Sequence, residues 1–246
     1  MPYPLPLSGV VHLVRPSGRT ASDLGALREH LAQATDTSLF YHAHHPRLRH
    51  AFGPTMPPDD FSAWVNGVLQ DRETAERIGY AIQNHGDGPR AMRAALLTAI
   101  PDPSTRPTHA YAAPPEGAFV FLEMDSVPVD LGLVANDADQ LIQHLCTGSA
   151  AVYFHHVIEW PWFDPGGPTV TEWARANGEQ RLAEWIEESA HDGRPLAESR
   201  RRLGGRWRRS QMMRRVARAA DVPEGVRQAE ARSVVSGLVR RMVKEG

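Results

Sequence analysis

The feature that most constrains this chain is that it carries one residue series twice, the second copy displaced by roughly 110 positions. Ala21-Ser22-Asp23, Leu27 and His30-Leu31 return as Ala135-Asn136-Asp137, Leu141 and His144-Leu145. Leu39-Phe40-Tyr41-His42 returns as Val152-Tyr153-Phe154-His155, Trp64 as Trp173, and Ala75-Glu76-Arg77-Ile78 as Ala183-Glu184-Trp185-Ile186. A collinear series whose offset drifts only slowly is the signature of a duplicated unit. It implies two tandem repeats in a pseudo-twofold arrangement, and it pairs His42 with His155.

Helical periodicity sets the fold class. Phe61, Trp64, Val65 and Val68 follow the i, i+3, i+4, i+7 spacing of one helix face, and Pro57-Pro58-Asp59 stops that helix from extending backwards. In the second copy Thr169 and Glu172 make a capping box ahead of Val170 and Trp173. Further helices are expected over 22–34, 39–50, 72–84 and 89–100, with counterparts near 136–147, 150–160, 180–190 and 195–205. Val10-Val11-His12-Leu13-Val14 and Phe119-Val120-Phe121-Leu122 are candidate short strands, one entering each copy. The expectation is a mainly α fold of two helical repeats, 1–100 and 119–205, joined by a proline-rich linker over 101–118. An arginine-rich C-terminal extension over 206–246 follows, ending in an amphipathic helix with the stripe Val235, Leu238, Val239 and Met242.

Charge is distributed unevenly along the chain. Residues 1–110 carry 10 basic and 10 acidic side chains, residues 111–197 carry 3 and 14, and residues 198–246 carry 14 and 5. Opposite neighbouring blocks neutralise each other when they pack together, so the basic segment is expected against the acidic repeat; the sharper alternative is an arm for an acidic partner or nucleic acid. No helix-turn-helix, zinc-finger spacing or aromatic RNA-binding pattern accompanies those arginines. The single cysteine, Cys146, forms no internal disulfide, and no apolar run approaches the roughly 20 residues that span a bilayer. A soluble, cytoplasmic protein without a membrane partner is expected.

Histidine is concentrated in Tyr41-His42-Ala43-His44-His45 and His50, with His155, His156 and Glu159 at the paired position. On helices, His42 and His45 share a face, as do His155 and Glu159. Imidazole nitrogen and carboxylate at those spacings suit a transition metal such as zinc or iron, with His42, His45, His155 and Glu159 as the ligand set. Tyr41, His44, His156 and Trp160 would line the surrounding pocket. No HExxH or paired CxxC motif supports that set, and histidines flanked by Phe40, Tyr41, Tyr153 and Phe154 equally suit hydrogen-bonded packing.

The run FYHAHHPRLRH, then PPDDFSAWV, then a helix containing AERI, resembles a bacterial and archaeal family, domain of unknown function 5752. The resemblance covers most of 20–100 and, more loosely, 118–205. The second copy departs from it where Ala43-His44-His45 is replaced by His156-Val157-Ile158 and Asp60-Phe61 by Thr169-Val170. The resemblance implies domain boundaries and no activity. Three functions from different classes follow from the residues. The first is a helical binding or scaffold protein that meets a protein partner or a second copy through its C-terminal helices. The second is a metal-dependent or histidine-assisted enzyme acting on a small molecule bound between the repeats. The third is nucleic-acid binding through the arginine-rich tail.

Overall fold

The computed structural model describes residues 3–49, 57–84, 88–102, 112–164 and 168–221. His50, residues 103–111 of the 101–118 linker and the stripe Val235, Leu238, Val239 and Met242 lie outside them. Residues Met1–Gly204 form one compact unit, and Gly205–Gly246 a second.

The fold is mostly helical around a two-stranded antiparallel ladder. Strand β1 (Leu5–Ala21) leads into α1 (Leu24–Gln33), α2 (Asp36–His44), α3 (Pro46–Arg49), α4 (Asp60–Gly67), α5 (Arg72–Asn84) and α6 (Pro89–Ala99). Strand β2 (Phe119–Ala135) leads into α7 (Ala138–Thr147), α8 (Ala150–Tyr153), a π-helical turn (Phe154–Glu159), α9 (Trp160–Phe163), α10 (Val170–Ala176), α11 (Gln180–His191) and α12 (Leu196–Asp221). The expected helix positions hold within a few residues, except that the helix expected near 195–205 runs on to Asp221. The expected short strands are in fact 17 residues each and pair along their length, from Leu5 with Ala135 to Ala21 with Phe119. Pairing shifts between Leu7 and Ser8 and between Pro16 and Thr20, where the ladder bulges.

The helices begin where short polar side chains satisfy their first free amides. Asp23 accepts from the Ala26 amide and Asp137 from that of Gln140. Thr35 accepts from Ser38 and Ser149 from Ala151. The members of each pair of caps are 114 positions apart, and each cap contributes about 1 kcal/mol. Asp59 caps α4 through the Ser62 amide, and α10 opens with the complete Thr169–Glu172 capping box.

The two tryptophans fasten opposite ends of the ladder. Trp64 donates its indole N–H to the Gly117 carbonyl at 2.7 Å, and Trp173 donates to Tyr3 at 2.8 Å. Tyr3 and Gly117 are again 114 positions apart, and both indoles are buried. Burial of such large side chains dominates the core energetics, and the N–H bond fixes their orientation.

Candidate functional site

Two kinds of histidine meet at the ladder. The first kind holds strand backbone. Leu122 on β2 donates its amide to His42 Nε2 at 2.9 Å, and Ser8 on β1 donates to His156 Nε2 at 2.8 Å. A nitrogen that accepts an amide hydrogen carries no proton, so each ring is neutral with its proton on Nδ1. His42 Nδ1 then donates to Asp60 at 2.9 Å. Burial holds both imidazoles below their ordinary pKa: His42 is lowered, and His156, also facing His155, falls to about 4. The residue series pairs His42 with His155; the hydrogen bonds pair it with His156, 114 positions on.

The second kind forms a chain around Glu159. His45 Nε2 lies 3.2 Å from His12 Nδ1, and His12 Nε2 lies 3.1 Å from Glu159 Oε1. The other carboxylate oxygen, Oε2, is 2.9 Å from His155 Nδ1, and Ser126 donates its hydroxyl to Oε1. A carboxylate only accepts, so His12 presents Nε2–H and His155 presents Nδ1–H. His45 Nε2 and His12 Nδ1 share one hydrogen, so a continuous chain of hydrogen bonds links His45 through His12 to Glu159. The His45 Nδ1 is buried and has no partner.

Electrostatics follow from these bonds. Burial pushes the Glu159 carboxyl up, but the bonds from His12, His155 and Ser126 outweigh it and bring the group down to about 2. Burial, with His12 and Arg49 nearby, lowers His45 to about 4. Glu159 is therefore an anion, only 2% exposed, sustained by three donors.

On the side of Glu159 that carries His155, the surface opens into a cleft of about 370 Å³. Ser126, His155 and Glu159 form its polar floor, Met124, Trp160 and Phe163 line it with apolar surface, and Asp125 and Asp164 contribute carboxylates. Among the described residues His155 makes no hydrogen bond through Nε2, while Glu159 holds its Nδ1. The π-helical turn Phe154–Glu159 carries both residues, and such turns are frequent at functional sites because they re-aim side chains within a helix.

The expected metal set does not assemble. His45, His155 and Glu159 come together through His12, but His42 is committed to Asp60 and the Leu122 amide. The nitrogens of His12 and His155 nearest Glu159 are occupied in bonding it. Among the described residues no group of three or more histidine, cysteine, aspartate or glutamate side chains is placed to hold a metal ion.

The expected pocket residues also divide. Trp160 lines the cleft. Tyr41 stacks on His45 with ring centroids 4.8 Å apart, His44 packs edge-on against Trp162, and His156 binds the Ser8 amide. Sequence reasoning missed His12, Ser126, Asp125 and Asp164. For His12 a signal existed, since an imidazole interrupts the apolar run Val10–Val14 on the strand face turned toward the helices.

Among the described residues no helix is long and apolar enough to cross a membrane. A family model described as a family of unknown function, DUF5752, matches residues 4–203. No curated protein matches the chain. The solved structure of OrfY from Thermoproteus tenax is similar over 82% of this chain and 91% of that one, with a TM-score of 0.64 and 21% identity, which speaks for a shared fold.

Proposed function

The chain belongs to the DUF5752 family, whose function is unknown, and from that premise we propose that it binds a small molecule in the Trp160 cleft and uses His155, backed by Glu159, as its acid–base group. The observation that carries this reading is the His155–Glu159 pair on the cleft floor, a buried imidazole oriented by a buried carboxylate with its second nitrogen unspent. That is the arrangement a general base needs: a proton passes from the bound molecule to Nε2, and the resulting imidazolium is stabilised by Glu159 through Nδ1–H. Ser126 and His12 hold the carboxylate in place.

The reading includes a duplicated architecture. The caps and the histidine–amide bonds that recur 114 positions apart, with the indole bonds of Trp64 and Trp173 to carbonyls 114 positions apart, support two copies related by a pseudo-twofold axis. That axis would pass through the His12–Ser126 pair, because these cross-strand partners are themselves 114 positions apart. Equivalent positions have then taken different roles, with Tyr41 and His45 in one copy standing where His155 and Glu159 stand in the other.

A thermal-shift screen of small molecules against the wild-type chain and His155→Ala tests the function. Compounds that raise the melting temperature of the wild type and lose that effect in the variant are expected, since a ligand bound only by the folded state stabilises it by mass action. Hits that stabilise both proteins equally would place binding elsewhere and overturn the assignment.

A scaffold role has a separate observation in its favour. On α12, Met212, Met213 and Val216 are exposed among arginines, which suits a protein partner or a second copy. Light scattering of the full chain and of a Met212→Ser/Met213→Ser/Val216→Ser variant tests it: a wild-type oligomer that falls to monomer in the variant supports self-association.

A further inference from the structure

Resting on the small-molecule reading above, the geometry points to an organic cation, a guanidinium or ammonium compound, as the ligand of the Trp160 cleft. The first argument is hydrogen-bond polarity. Glu159, Asp125 and Asp164 are acceptors, and His155 offers a lone pair at Nε2 when its ring is neutral, because Nδ1–H is given to Glu159. Ser126 spends its hydroxyl hydrogen on Glu159, leaving its own lone pairs. A molecule that satisfies this floor must bring donors.

The second argument is charge. Of the three carboxylates of the cleft, Asp125 alone has an arginine partner among the described residues: Arg15 meets it at 2.7 Å and also reaches Glu123 at 3.5 Å. The cleft therefore keeps an excess of negative charge beside the faces of Trp160 and Phe163, a setting that favours cations over neutral isosteres.

The third argument is internal to the chain. Tyr41 and His45 stand 114 positions before His155 and Glu159. There the Arg49 guanidinium lies 4.9 Å over the Tyr41 ring and donates to both oxygens of Asp60 at 2.8 and 3.1 Å. Beside Tyr41 the chain seats a cation of its own between a ring and a carboxylate. The position 114 after Arg49 is Phe163, an uncharged residue on the cleft wall. Around His155, Phe163 is 41% exposed and no arginine or lysine is among the described residues that line the cleft, so its ring and carboxylates await a cation from outside.

Nα-acetylarginine amide (arginine amide below) and its neutral isostere Nα-acetylcitrulline amide (citrulline amide below), titrated at matched ionic strength into the ¹⁵N-labelled full chain, test this. The indole N–H signal of Trp160 is the readout, assigned with Trp160→Phe. Arginine amide should shift that signal saturably and bind at least ten-fold tighter than citrulline amide. Asp164→Asn, an exposed substitution, should weaken the arginine amide several-fold without altering the rest of the spectrum. Equal affinity for the two amides, or a Trp160 shift with glucose but not arginine amide, overturns the cation and leaves the cleft as a small-molecule site. If the thermal-shift hits all bind away from Trp160 and neither amide moves its signal, both readings fall together.

Discussion

His12 and Ser126 face each other across the ladder, and both hydrogen-bond the same oxygen, Glu159 Oε1. A cross-strand pair thereby fixes a carboxylate presented by a helix, so the geometry of the cleft floor depends on the register of two strands far apart in sequence. A slip of one residue would turn both side chains to the opposite face and leave a buried anion without two of its three donors.

Glu159→Gln tests that dependence. The amide cannot accept charge-assisted bonds from His12, His155 and Ser126 together, and it introduces donors where donors already point. A loss of about 2–3 kcal/mol in urea unfolding is expected, against about 1 kcal/mol for Ser126→Ala, which removes one bond. Equal, small losses for both would mean that the carboxylate is solvated and not held by this network.

His42→Ala and His156→Ala should behave alike although they lie in different helices. Each deletes the acceptor of a strand amide, Leu122 or Ser8, at a cost of roughly 1–3 kcal/mol for the group left unpaired. Amide exchange at Leu122 and Ser8 should accelerate in the respective variants. His155→Ala should cost less stability and abolish ligand stabilisation, because its ring binds no strand amide. If His155→Ala proved as damaging as His42→Ala, with His156→Ala silent, the equivalence drawn from the hydrogen bonds would be wrong.

That equivalence shows what could be read from the residues alone. The helix starts were legible because caps are local: Asp59 with its prolines and Thr169 with Glu172 act within one turn of chain. Trp64 and Trp173 were legible as core because helical periodicity places them on apolar faces. The residue series pairs His42 with His155 and the hydrogen bonds pair it with His156, because Tyr41-His42 resembles both Phe154-His155 and His155-His156, and side-chain type does not say which ring reaches a strand amide. The ladder was underestimated because Pro6, Gly9, Pro16 and Gly18 punctuate β1. Its length comes from pairing with residues about 100 or more positions away, which no local pattern encodes. His12 was overlooked for the same reason, since its partners come from the residue that ends α2, His45, and from the π-helical turn.

Stability should fall on acidification in two stages. His45 and His156 have folded pKa values near 4 against 6.5 unfolded, so the unfolded chain binds more protons between those values and stability is lost as pH falls through that window. Lowered His42 adds to the loss. Asp59 opposes it: burial raises its folded pKa to about 6 despite the bonds from Ser62, so acidification over the same range favours the folded state. Two histidine shifts against one carboxyl leave a net loss on the order of 3 kcal/mol from pH 7 to 4. Below 4.5 Glu159, whose folded value is about 2, removes more. Urea midpoints across this range measure the curve, and His156→Gln should flatten its first stage. A midpoint that rises steadily from pH 7 to 4 would contradict the assigned protonation states.

Arg47 offers a test of the core behind the site. Its buried guanidinium donates to the carbonyls of Ser189, Ala190 and Arg194 and to Asp192, closing the C-terminal end of α11 with one side chain from α3. The carbonyls that end a helix lack intrahelical donors, and the partial negative charge there favours a cation. Lysine carries the charge, but its single ammonium cannot span acceptors arranged around a planar fork. Arg47→Lys should therefore fail to restore what Arg47→Met loses, and both should cost about 3–5 kcal/mol, the range for breaking a buried ion pair. Amide exchange should quicken in the last turn of α11 and remain slow in α5, which supplies none of the hydrogen-bond partners of Arg47 among the described residues. A lysine variant as stable as the wild type would show that charge alone closes the helix and that the fork geometry is dispensable.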